Sequence, residues 1–182
     1  MKYFMRILPL FILIALFAAA PLTAQDRGND NARPSPNAII SQTIGTTVVT
    51  VTYGRPALKG RTYFEEGSDL APTGQIWRTG ANESTNITFS DNVMFGGEEV
   101  EAGTYSMYTI PGEDEWEIIL NEKLSWGTQY DESQDVVRVT APVDEGSDLE
   151  WFEIYFNELS DNEADLNIHW GTTRIAAPIS VE

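Results

Sequence analysis

From Ile39 onward, apolar and polar side chains alternate at every second position. Val49, Val51 and Tyr53 share one face of a segment whose other face carries Thr50 and Thr52. Thr85, Ile87 and Phe89 repeat the rhythm against Asn86, Thr88 and Ser90, as do Trp116, Ile118 and Leu120 against Glu117, Ile119 and Asn121. It returns in Phe152, Ile154 and Phe156, which alternate with Trp151, Glu153, Tyr155 and Asn157. Ala164, Leu166, Ile168 and Trp170 follow, and last Ile175, Ala177, Ile179 and Val181. A period of two is the repeat of a strand buried on one side. Nowhere do about twelve residues show helical spacing with a cap. Asp91-Asn92 and Gly96-Gly97 predict tight hairpins, Pro111-Gly112 ends a strand, and Ala71-Pro72-Thr73-Gly74 predicts a turn. Pro178 has no amide donor and places the last strand at an edge or a bulge. About nine or ten strands with short turns predict an all-β domain: an antiparallel two-sheet sandwich, jelly-roll-like, with a closed β-barrel as the alternative.

The beginning of the chain breaks the rhythm. Lys2 and Arg6 precede an apolar run over residues 7–20, and Leu22-Thr23-Ala24 ends on a small side chain. That is the form of a secretory signal peptide over residues 1–24, and the run is short of the ~20 residues that cross a bilayer. Residues 25–37 are polar and turn-forming and read as a flexible linker; residues 38–182 then form a single domain. The mature protein is expected to be exported, periplasmic or extracellular, with no membrane insertion once the leader is removed.

Charge narrows the chemistry. The 182 residues include 28 acidic and 11 basic ones, for a net charge of −17. Lys2 and Arg6 belong to the leader, so its removal deepens the charge to −19. Such a surface repels phosphate backbones, which excludes nucleic acid as a partner. The absence of cysteine excludes disulfides, thiolate metal sites and thiol nucleophiles, and the lone His169 excludes a multi-histidine site within one chain. No metal and no cofactor is expected. Asp161-Asn162-Glu163-Ala164-Asp165 starts like a calcium loop, but Leu166 stands where its glycine belongs and Thr172 where its glutamate belongs.

The scarce cations cluster. Arg55, Lys59, Arg61 and Arg78 are close together in sequence and fall in connections between strands. Brought to one end of a sandwich, such groups grip a carboxylate, phosphate or sulfate; in so acidic a chain they equally pair with its own carboxylates. Trp77-Arg78-Thr79-Gly80-Ala81-Asn82-Glu83 is the most distinctive string, an aromatic, a cation, an amide and a carboxylate around a bend. Trp77, Arg78, Asn82 and Glu83 join Arg55, Lys59 and Arg61 as candidate ligand-binding residues. Glu83 is also the candidate catalytic acid or base, although the sequence sets no second carboxylate beside it. Trp151 and Tyr155, on the polar side of their strand, are candidates for stacking on sugar rings.

These residues also carry a resemblance. Val49-Thr50-Val51-Thr52-Tyr53-Gly54-Arg55-Pro56, Lys59-Gly60-Arg61 and the string from Trp77 to Glu83 lead into Ala102-Gly103-Thr104-Tyr105. Ile110-Pro111-Gly112, Trp116, Asn121 and Trp126-Gly127 follow in order. Over about residues 35–181 the chain resembles the exported bacterial domain-of-unknown-function family 2911. The resemblance implies an exported single domain and supplies no activity, cofactor or catalytic residue. The expectation is a non-catalytic binding module for a small anionic or sugar-like ligand, or for an envelope partner protein. The alternatives are a hydrolase of glycans or esters using Glu83 with a second carboxylate, and a structural envelope domain.

Overall fold

The computed structural model describes residues 27–28 and 32–182, so the expected leader lies outside the described residues. Nine strands follow in chain order. They are β1 Asn37–Ile44, β2 Thr47–Gly54, β3 Thr85–Phe89, β4 Val93–Phe95, β5 Glu98–Val100, β6 Gly103–Ile110, β7 Glu115–Asn121, β8 Asp135–Asn157 and β9 Glu163–Ser180. Among the described residues the helical content is one 3-10 turn, Glu132–Gln134. The strands pair antiparallel in one open sheet, in the order β1-β2-β3-β6-β7-β8-β9-β4-β5.

Two layers arise because β8 changes partner midway. Its first part pairs with β7 as far as Pro142 opposite Glu115, and from Val143 onward it pairs with β9. The β8–β9 register slips between Glu145 and Leu149 and again between Leu149 and Glu153, and such irregularities bend a strand. Gly146 permits the bend: a Cβ there would lie 2.4 Å from Nε2 of His169. Gly171, with φ of 54°, bends β9, so the two strands expected over residues 164–181 form one. The folded-over sheet encloses Val51, Tyr53, Ile87, Met107 and Ile118 against Phe152, Ile154, Leu166 and Ile168. Tyr53 ties the layers, donating its hydroxyl to the Ile154 carbonyl at 3.3 Å and accepting the Ile154 amide at 3.1 Å.

Three expectations are corrected. The closed β-barrel is not formed, because β1 and β5 stand at opposite ends of the strand order. Asp91-Asn92 makes no hairpin: β3 pairs with β2 and β6, while β4 pairs with β5 and β9, so the turn carries the chain from one layer to the other. Gly96-Gly97 does close the β4–β5 hairpin, both glycines having the positive φ such a turn requires. The strand carrying Pro178 lies between β8 and β4 rather than at the sheet's edge. Its pairing with β8 ends at Ile175, so at Pro178 only β4 is alongside, and the missing amide costs nothing on the other flank.

Candidate functional site

Strand register decides which connections meet. Asn37 faces Gly54, and Thr52 faces Asn86, so the start of β1, the end of β2 and the start of β3 lie side by side. Whatever precedes β1, follows β2 or precedes β3 therefore shares one rim. Gly54 allows close approach there: a Cβ would lie 2.3 Å from the Ala81 carbonyl oxygen. The turn before β3 is tightly wound, with Thr79 at φ 52° and Asn82 at φ 68°. A β-branched residue in the left-handed region is strained unless its surroundings hold it. Here Thr85 Oγ1 donates to the Thr79 carbonyl at 2.5 Å, and Asn82 Nδ2 donates to the Ser35 carbonyl at 3.1 Å.

At the centre of this rim Glu83 is buried, its side chain 3% exposed. Arg33 forks onto it, Nη1 at 2.8 and 3.1 Å and Nη2 at 3.1 Å from the two carboxylate oxygens. Arg27, itself buried, donates through Nη2 to the Ser84 carbonyl. Burial pushes the Glu83 carboxyl up. The Arg33 bonds, its own amide and the charges of Arg33 and Arg27 outweigh that push and hold it below the ordinary value of 4.5. Both arginines come from the stretch expected to be a linker. Their only sequence signal is two of the few cations in an otherwise polar, acid-bearing tail.

Arg78 is placed differently. Its Nε is fully buried with no hydrogen-bond partner, and none of the ion pairs among the described residues involves it. Burial lowers its pKa, with Tyr108 the nearby group that opposes the shift. Its stem lies directly on Gly127, where a Cβ would come within 2.0 Å of Cδ. Trp126, next in the chain, is half exposed and bridges Glu83 through the backbone. Arg78 as a residue is part-exposed.

The bed beneath these groups is polar and sealed. Ser84 Oγ meets Ser106 Oγ at 2.7 Å, and Ser106 Oγ donates to the Lys123 carbonyl at 2.8 Å. Asn121 Nδ2 donates to the Asp131 carbonyl at 2.8 Å and to Asp135 at 2.7 Å, while its oxygen accepts the Lys123 amide at 3.0 Å. The connection over residues 122–134 is thereby pinned across the outer face of the sheet. Tyr130 fastens its far end, donating to Asp135 at 2.6 Å; burial and that bond push the phenol's pKa up.

The other candidates disperse. Trp77 turns into the core and stacks on Trp170 at 5.9 Å and 11°, which leaves no ring for a ligand. Arg55 donates from Nε to the Phe152 carbonyl at 2.9 Å and faces Glu153 at 3.7 Å. Lys59 is exposed, and its amide donates to Glu150 at 2.8 Å. Arg61 curls onto its own loop, donating to the Ala57 and Leu58 carbonyls. The charged groups that act on Glu83 among the described residues are Arg33 and Arg27, with no second carboxylate among them. Among the described residues, no three His, Cys, Asp or Glu side chains gather as a metal ion requires. A concavity of about 430 Å³ lies at the other end of β2, beside Thr47, Asp91, Glu99 and Glu182.

A family model described as "Protein of unknown function (DUF2911)" matches residues 35–179. No curated protein and no solved structure matches the chain.

Proposed function

Because the chain belongs to the DUF2911 family, whose description assigns no activity, we propose its function from its own site: an exported, non-catalytic module that binds a small anion at Arg78. One observation carries the reading. In a chain with 28 acidic residues, Arg78 sits half-buried with a sealed, unpartnered Nε and, among the described residues, no carboxylate paired with it. A cation removed from water without a partner is costly, and a carboxylate, phosphate or sulfate accepting from a guanidinium edge offsets that cost. Gly127 supports the arrangement by leaving the stem room to lie flat, which fixes the guanidinium's direction. Export rests on the leader-like residues 1–24.

The hydrolase alternative ranks lower on the same physics. A glycosidase acid must hold a proton near neutral pH and face a second carboxyl across ~5–9.5 Å. Glu83 is instead ionised, buried and clamped by Arg33.

The test uses Arg78→Met, which keeps the stem on Gly127 and removes the charge. Titration calorimetry of the mature protein with acetate, phosphate and sulfate should give saturable binding of at least one anion to the wild type and none to the variant. The variant should melt at or above the wild-type temperature, since an unpaired charge has gone. Equal binding by both proteins, or by neither, overturns the reading.

A further inference from the structure

We infer that the cleft between Trp151, Arg55 and Pro36 is a second, separate ligand site, built to stack one ring of a neutral sugar. Of the chain's five tryptophans, Trp77, Trp116 and Trp170 are buried, while Trp126 and Trp151 are 51% and 41% exposed, and of these two Trp151 borders a cleft. An indole is large, and leaving it in water forgoes a large hydrophobic gain. Trp151 borders a cleft of about 290 Å³ with Arg55 and Pro36, close to the lower bound of ~300 Å³ for small-molecule sites.

The platform is rigid. Backbone bonds clamp it on both sides, Leu58 N to Glu150 O at 2.9 Å and Phe152 N to Pro56 O at 2.9 Å, with Trp151 itself bridged to Ala57. Arg55 is fixed as well, its amide bonded to Pro36 O at 2.8 Å and its Nε to Phe152 O at 2.9 Å. Its Nη2 faces the part-exposed Glu153 carboxylate at 3.7 Å. A planar donor thus stands beside the indole in the cleft, with the Glu153 carboxylate on the far side of that donor. Sugar hydroxyls both donate and accept, and the C–H face of a pyranose carries the slight positive charge that suits the negative face of an indole.

Charge selects among sugars. Arg55 and Glu153 offset one another locally, so the cleft offers no uncompensated positive charge to uronic acids or sulfated glycans. The ligand class is therefore a neutral pyranose within a glycan. This site is independent of Arg78, whose guanidinium belongs to the turn before β3.

Tryptophan-fluorescence titration and calorimetry with cellohexaose, laminarihexaose, xylohexaose and chitohexaose test it. At least one oligosaccharide should bind saturably. Trp151→Ala should weaken that binding at least tenfold, Trp151→Phe less, and Arg55→Met several-fold, each with a cooperative melt. Trp126→Ala and Arg78→Met should bind as the wild type does, which separates failure here from failure of the anion reading. Binding of none of the four sugars, an undiminished affinity in Trp151→Ala, or an equal loss in Trp126→Ala overturns the inference.

Discussion

The inward face of β2, β3, β6 and β7 carries Val51, Ile87, Met107, Trp116 and Ile118; the outward face of β3, β6 and β7 carries Asn86, Ser106, Tyr108, Ile119 and Asn121. Both rows are shut off from solvent. Inside, apolar surface meets apolar surface, and any side chain of the right volume fits. Outside, the lid is the connection over residues 122–134, whose own carbonyls and amides must find partners. Serines and asparagines supply them, Ser106 to Lys123 O and Asn121 to Asp131 O. The first face holds the domain together, whereas the second fixes the loop that carries Trp126 and Gly127 to Arg78 and Glu83.

Substitutions on the two faces should fail in different ways. Trp116→Ala opens a hole in the inner cluster, where Phe64 lies 4.4 Å from the indole, and should cost about 3–5 kcal/mol in chemical denaturation. A loss under about 1 kcal/mol would mean that the inner face is not the principal core.

Glu83→Gln, at the boundary of the two regions, should cost about 2–3 kcal/mol, since it leaves Arg33 and Arg27 facing a neutral amide. Its pH signature is directional. The folded pKa of Glu83 lies below 4.5, so its contribution is fully present above that value and is lost as pH falls through the folded pKa. Wild-type melts should drop over that acid range, and those of Glu83→Gln should drop less; parallel curves would detach Glu83 from acid stability.

Asn121→Ala removes the fastening of the loop and should cost about 1–2 kcal/mol. Hydrogen exchange should quicken over residues 122–134 and leave β8 and β9 protected. Uniform acceleration across the chain would make the polar bed part of the main core instead.

The strands were legible because alternation is a local property. Val49, Val51 and Tyr53 are buried and Thr50 and Thr52 less so, as their spacing requires. Asn121 and Ser106 were not legible as buried residues: a polar side chain on an outward position looks solvated until a distant loop covers it. Arg33 was invisible for a related reason, since its partner Glu83 lies 50 positions away and a polar tail gives no sign of docking. Of the seven candidate residues, Arg78, Asn82 and Glu83 lie in the turn before β3, while Arg55 reaches to Phe152 and Glu153 on β8, Trp77 turns inward, Lys59 bonds Glu150 through its amide and Arg61 folds onto its own loop.

The sequence by itself determined that this chain makes strands, which faces are apolar, how acidic the surface is and where cations are scarce, because each depends on near neighbours or on totals. Tertiary structure alone decided that β8 folds the sheet over, that the tail's arginines neutralise Glu83, and that Arg78 finds no ion-pair partner among the described residues. Those outcomes depend on which remote groups compete for one another once the chain is compact.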